Sequence, residues 1–351
     1  MDKFRVGLSP DFKTYNAAHI VDAGLKEILG PLPFIQYEFF EQEDKVVAPS
    51  EIKDYDALII LTSRFTPDSF KGVERVVVLA RWGVGYDNID VNACTDANVL
   101  LAITTDAVRR PMAESILTIL LALSRNLMLK ERLVRAGRWD QRGPASGVGL
   151  RGKTIGSVAL GNIASEMFRL LKHLDVGRML AYDPYVTKEY AAGLGVEMVD
   201  LPTLFKEADF LTINCPLNDG TRGLIGADLL KLMKPTAYFV NTARGGIVDE
   251  TALIEILKER KIAGAGLDVF DQEPLPLDSP LLQLDNVLLT PHAIAWGNDV
   301  YGANTVDSCG NLLTVLRGEI PKYTVNKEVV QKPKFQAKLA SLRKRWAALA
   351  G

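Results

Sequence analysis

Apolar and polar positions along this chain follow one repeating pattern. Short runs of consecutive apolar residues, each closed by Gly, Pro or polar residues, alternate with longer stretches of helical spacing. In the first third, residues 4–9, 57–62, 76–80 and 99–103 read as strands. Residues 16–29 read as a helix that stops at Gly30-Pro31. Apolar runs without alternation suit strands buried on both faces, and their alternation with helices predicts a parallel sheet covered by helices.

A change comes at Pro111. The spacing predicts a helix with Pro111 in its first turn, running through Ile116, Leu117, Leu120 and Leu121 to Arg135. Glu114, Ser115, Ser124, Arg125 and Asn126 interrupt its apolar surface, so it reads as a buried helix joining two domains and not as a membrane span. A Gly-rich polar crossing follows over residues 136–152. A second α/β series then begins, with strand runs at residues 154–160, 179–182, 210–215, 238–242, 264–269 and 287–290. After His292 another helical pattern reaches Leu316. The simplest topology returns the carboxyl end to the first domain, making that domain discontinuous. In the basic tail, Phe335, Leu339, Leu342, Trp346 and Leu349 share one helix face, which predicts docking on the chain's own domain.

The candidate chemistry sits where apolar runs end. Val240 leads into Asn241, Thr242 and Arg244; Leu267 leads into Asp268 with Glu273 close behind; Leu289 leads into Thr290, Pro291 and His292. Carboxyl ends of parallel strands line the crevice where open α/β sheets bind ligands. Histidine titrates near neutrality and suits proton transfer, a nearby carboxylate favours its imidazolium, and arginine offers a planar fork matched to a carboxylate. Each also has a plain reading: Arg244 as a surface cation, Glu273 as a turn acid, His292 as a capping residue.

Residues 156–168, GSVALGNIASEMF, follow a strand and open a helix. Aligned to the dinucleotide-binding pattern G-x-G-x-x-G/A, they give Ala159, Gly161 and Ala164, so only the middle glycine is intact. Gly161 lets backbone approach a pyrophosphate whose charge sits on the helix amino-terminus. Asp183 follows about twenty residues later, where the pattern places an acid on the adenosine ribose. A carboxylate there repels a 2′-phosphate and no arginine follows immediately, so NAD is favoured over NADP.

Composition narrows the class. A chain of 351 residues suggests about two domains. Hydrophobic residues make up 48%, charged residues 24%, and the net charge is -2, so nothing implies a nucleic-acid or membrane partner. Cys94, Cys215 and Cys309 read as free thiols of a reducing compartment, with the cytoplasm as the expected location. No cluster of His, Cys and acids has metal-ligand spacing, so no metal is expected.

Several of these segments carry a resemblance. VNTARGGIVDE, LDVFDQEPLP and TPHA, with RWGVGYDNID at residues 81–90, are similar to signature segments of the D-isomer-specific 2-hydroxyacid dehydrogenase family. Arg81 and Trp296 are similar to its C-terminal-binding-protein branch. The resemblance implies an α/β fold of two Rossmann-like domains with parallel sheets. The outer, flavodoxin-like substrate domain would comprise residues 1–106 and 296–351, and the NAD-binding domain residues 107–295. It implies a cytoplasmic homodimer that interconverts a small 2-oxo acid and a D-2-hydroxy acid.

The same likeness assigns His292 as general acid/base, Glu273 as its partner and Arg244 as substrate-binding. It puts Asn162 and Ile163, beside Gly161, at the pyrophosphate, Asp183 at the ribose, and Cys215 and Pro216 on the adenosine side. Thr242, Ala243 and Asp268 fall on the nicotinamide side. Arg81, Val84, Gly85 and Trp296 fall at the substrate, the amides of Val84 and Gly85 receiving its carboxylate. Two departures stand out: Ala159 replaces the first glycine of the pattern, and Asn162 stands where the family often carries arginine. Arg109 and Arg110 either reach an anionic substrate tail or sit in solvent. The rival readings are a phosphite- or formate-type dehydrogenase on this scaffold, and an NAD(H)-sensing binding protein.

Overall fold

The structure, a computed structural model, describes residues 3–14, 18–143 and 145–350. It forms two compact units, one of Met1–Val108 with Trp296–Gly351, the other of Arg109–Ala295. Among the described residues the first unit holds five strands: β1 (Phe4–Leu8), β2 (Ile35–Phe39), β3 (Ala57–Ile60), β4 (Val78–Arg81) and β5 (Leu100–Ala102). All pair in parallel, in the order β2-β1-β3-β4-β5. This is the flavodoxin-like order. Successive residues of each strand serve opposite faces: Ala57 and Ile59 join one core cluster, Leu58 and Ile60 the other. A sheet buried on both faces has no polar face, which is why its strands read as continuous apolar runs.

The carboxyl end belongs to this unit. The Pro333–Ala350 helix buries Phe335, Leu339 and Leu342 in the β1 core, each stabilising by about 1.5–3 kcal/mol. Trp346 packs its ring against Phe4 and Phe34. The helix's positive charges are used locally. Lys334 pairs with Glu74 at 2.8 Å, Arg345 with the buried Asp56 at 2.7 Å, and Lys338 donates to the Val76 carbonyl at 3.0 Å. The expected docking on the chain's own domain is what the structure shows.

The second unit holds β6 (Ile155–Val158), β7 (Met179–Tyr182), β8 (Glu197–Met198), β9 (Phe210–Ile213), β10 (Tyr238–Asn241), β11 (Gly264–Leu267) and β12 (Val287–Leu289). They too are all parallel, in the order β12-β11-β10-β9-β6-β7-β8. The order reverses beside β6, so the crevice of a doubly wound sheet opens at the carboxyl ends of β6 and β9. The fold is the expected α/β pair of parallel sheets.

The helix around Pro111 differs from its sequence reading. It starts at Thr105 and ends at Ser124, with Pro111 inside it and not in its first turn. A second helix, Leu127–Arg135, follows at 61°, so the stretch is broken and not one long helix. The break falls at Asn126, whose φ of 49° is left-handed and ends α-helical geometry. Ile116, Ile119 and Leu120 are buried in the second unit's core. Among the described residues no single helix is long and apolar enough to cross a membrane.

Candidate functional site

Three neighbouring strands of the second unit deliver the expected reactive residues. At the end of β10, Asn241 folds its side chain over the turn that follows. Its Nδ2 donates to the Arg244 carbonyl at 2.9 Å and its Oδ1 accepts from the Ala243 amide at 3.0 Å. Arg244 directs Nη1 to the Ala243 carbonyl at 2.7 Å. Gly245 lies against the chain after β11: a Cβ there would stand 1.9 Å from the Phe270 carbonyl carbon. Only glycine permits that approach, so the residue after Arg244 locks two strand-end loops together.

Beyond β12, His292 takes a left-handed φ of 52°. Its Nδ1 lies 2.7 Å from Glu273 Oε2, while Glu273 Oε1 accepts from the Phe270 amide at 3.0 Å. Burial raises the Glu273 pKa, but the bonds from His292 and Phe270, with the charges of His292 and Arg244, outweigh it and hold the carboxyl below its ordinary value. A carboxylate acceptor requires hydrogen on Nδ1, which leaves Nε2 as the ring atom free for proton exchange. The histidine side chain is 42% exposed, open to an incoming molecule.

Asp268 fixes this turn. Its Oδ1 accepts from Thr290 Oγ1 at 2.7 Å, the Ala293 amide at 3.0 Å and the Ile294 amide at 3.2 Å. Burial pushes its pKa up, opposed by those three bonds and by His292. The expected nicotinamide-side acid therefore also clasps the two residues after His292. Nothing in the spacing of the sequence announces that clasp.

At the other end of the sheet's switch point, the loop after β6 keeps its turn despite the missing glycine. Ala159 adopts a left-handed φ of 76°. The Ala159 amide donates to the Tyr182 carbonyl at 2.7 Å, and Ser157 Oγ donates to the Ala159 carbonyl at 2.6 Å. These bonds hold a conformation that costs an L-residue about 1–2 kcal/mol. Gly161 caps the Asn162–Leu171 helix, and a Cβ placed on it meets nothing within 4 Å. That open space over a helix amino-terminus fits a pyrophosphate. Asn162 and Ile163 form the helix's first turn. Asp183 accepts from the Leu160 amide at 2.9 Å and the Tyr185 amide at 2.8 Å, so its carboxylate is bonded to this loop. Cys215 follows β9 next to exposed Pro216; burial pushes its thiol up to about 11, with Asp183 adding to the effect, which keeps the thiol neutral.

In the first unit, β4 ends at Arg81, which turns a guanidinium nitrogen to the Trp82 carbonyl. The loop carrying Val84 and Gly85 follows directly. Trp296, also in this unit and 48% exposed, meets Tyr301 edge-on with ring centroids 6.1 Å apart. Arg110 is exposed and pairs with Glu114 at 2.6 Å and Glu166 at 3.2 Å. Among the described residues no group of three or more His, Cys, Asp and Glu side chains is placed to hold a metal.

A profile described as D-isomer specific 2-hydroxyacid dehydrogenase, NAD binding domain, matches residues 117–293. The chain belongs to that family. It is 38% identical over 298 residues to a glyoxylate reductase of Korarchaeum cryptofilum, covering 83% of this chain and 90% of that one. It is 41% identical over 278 residues to a D-3-phosphoglycerate dehydrogenase of Methanocaldococcus jannaschii, covering 79% of this chain but only 52% of that longer protein. Among solved structures, D-2-hydroxyisocaproate dehydrogenase superposes with a TM-score of 0.78 at 25% identity, covering 92% of this chain and all of its own. The apo D-lactate dehydrogenase of Escherichia coli does so with 0.74 at 25% identity, covering 92% and 99%.

This 2-hydroxyacid dehydrogenase thus carries a strained alanine in its dinucleotide loop. Ala159→Gly is expected to relieve the strain and raise stability by up to about 1 kcal/mol, since glycine regains part of that as chain entropy. Chemical denaturation measures it; a lower midpoint with an unchanged slope would contradict the reading.

Proposed function

We propose that the protein is an NAD-dependent oxidoreductase that interconverts a small 2-oxo acid and a D-2-hydroxy acid, with His292 as general acid/base. The observation that carries this reading is the 2.7 Å contact between His292 Nδ1 and Glu273 Oε2 beside the Arg244 charge. Arg244, with its planar fork, holds the substrate carboxylate together with the amides of Val84 and Gly85, while Arg81 and Trp296 flank it. Fixing the acid in this way places its C2 carbonyl for reaction, an orientation effect. The bound nicotinamide supplies the hydride chemistry. His292 Nε2 donates a proton to the carbonyl oxygen during reduction and recovers it during oxidation. Glu273 stays charged throughout and stabilises the imidazolium.

Gly161, Asn162 and Ile163 would hold the pyrophosphate, Asp183 the ribose, Cys215 and Pro216 the adenosine side, and Thr242, Ala243 and Asp268 the nicotinamide side. The names of the relatives, glyoxylate reductase and D-3-phosphoglycerate dehydrogenase, support a small 2-oxo or 2-hydroxy acid as substrate. Exposed Leu127, Met128, Val134 and Trp139 on the second unit support a homodimer that covers them. The three buried free cysteines support a cytoplasmic location.

Two measurements test the chemistry. His292→Ala is expected to lower reduction at least about a hundredfold while NADH still binds. Glu273→Gln keeps the size of the side chain but removes the charge that orients the His292 ring and stabilises its imidazolium, so kcat/KM for reduction is expected to fall at least about tenfold with NADH affinity unchanged. Unchanged kinetics would refute the coupling.

The cofactor is tested separately. A carboxylate at the ribose repels an added phosphate, so NADH is expected to exceed NADPH in kcat/KM by at least about tenfold to a hundredfold. Asp183→Ala lowers that preference mainly by damaging NADH use. Equal use of both cofactors by the wild type would remove Asp183 from the ribose.

A further inference from the structure

We infer that Thr104 and Asn304 form a relay that positions the Gly83–Gly85 loop and so sets affinity for the substrate carboxylate without touching it. The inference rests on the reading of Val84 and Gly85 as carboxylate-binding amides. All of its parts lie within the first unit.

The loop starts on a fixed base. Trp82 is buried, its Nε1 donates to Thr305 Oγ1 at 3.2 Å, and its ring stacks on Tyr301 with centroids 5.6 Å apart. Gly83 then exchanges two hydrogen bonds with Thr104. Its amide donates to Thr104 Oγ1 at 2.7 Å, and its carbonyl accepts from the Thr104 amide at 3.1 Å. Its φ of 128° is open only to glycine. The loop's far end is held as well: Asn88 Nδ2 donates to the Ser63 carbonyl at 2.7 Å, and the Phe65 amide donates to the Asn88 carbonyl at 2.9 Å.

The direction of the relay follows from counting hydrogens. Thr104 is fully buried, and its hydroxyl donates its one hydrogen to Asn304 Oδ1. A lone pair on the same oxygen therefore receives the Gly83 amide. Asn304, itself 2% exposed, sits on the Asn298–Leu316 helix, far along the chain. Bonds in such a chain polarise one another and leave the hydroxyl a single orientation. Pinned at both its amide and its carbonyl, Gly83 fixes the peptide plane leading to Val84. Among the described residues, no protein group accepts from the amides of Val84 or Gly85. Two successive backbone donors without an acceptor, held by a buried relay, form a nest for an anion.

The test compares Thr104→Val, which keeps the shape and loses the hydroxyl, with Thr104→Ser, which restores it. Kinetics with 2-oxo acids and NADH are measured alongside NADH affinity and thermal stability. Thr104→Val is expected to raise KM for the 2-oxo acid roughly five- to thirtyfold, the value of one lost hydrogen bond. It keeps kcat within about threefold and leaves NADH affinity unchanged. Thr104→Ser returns KM to near the wild-type value, and Asn304→Ala follows Thr104→Val.

Val84→Pro separates the two layers, because it deletes a proposed carboxylate donor. If it raises KM while Thr104→Val does not, the relay is wrong and the loop reading stands. If Val84→Pro folds, binds NADH normally and leaves KM unchanged, the loop reading itself fails. A Thr104→Val protein that loses NADH affinity and thermal stability in step with KM would show a merely structural role and overturn the inference.

Discussion

One oxygen atom holds the turn around His292 in place. Oδ1 of Asp268 collects the Thr290 hydroxyl and the amides of Ala293 and Ile294, and His292 lies between those donors. A histidine at a φ of 52° is a conformation the chain does not choose unaided. The buried carboxylate stabilises the turn that demands it, and so aims the ring at Glu273. Asp268 itself follows β11, which pairs in parallel with β10 and β12, and whose Gly264 and Gly266 leave room for the Asn286 carbonyl and for Ile119. The reactive geometry thus descends from a parallel sheet packed tightly enough that adjacent strand ends share hydrogen bonds.

The same logic governs the cofactor end. Asp183 and the loop after β6 belong to adjacent strands, and the acid bonds the Leu160 amide directly. Asp183 and the loop after β6 are therefore tied to each other. Ala159 survives in a glycine's conformation because the bonds from its amide and to its carbonyl over-determine the turn. Sheet, loops and acids work as successive layers of one constraint.

Much of this was legible in the sequence, because continuous apolar runs report strands buried on both faces. The strand ends carrying Arg244, Asp268 and His292 stand out for that reason. Strand β2, Ile35–Phe39, leaves no such run: its Gln36 is exposed and its apolar pattern is broken, as befits an edge. Strand β8 has two residues, too short to leave a pattern. Pro111 misled because proline usually marks a first turn, whereas here the helix had already begun at Thr105. The break at Asn126 depends on a single left-handed residue. The Asp268 clasp and the Thr104–Asn304 relay join residues distant in sequence through single polar atoms, and no periodicity reports such contacts.

In the proposed reaction NADH reduces the carbonyl of a small 2-oxo acid with His292, Glu273 and Arg244 assisting. A panel of 2-oxo acids followed at the nicotinamide absorbance, with the configuration of each product determined, tests it most directly. Turnover of at least one 2-oxo acid with NADH is expected, with the D-2-hydroxy acid as product wherever C2 is chiral. Tight NADH binding with no turnover across the panel, or turnover to the L-isomer, would contradict it.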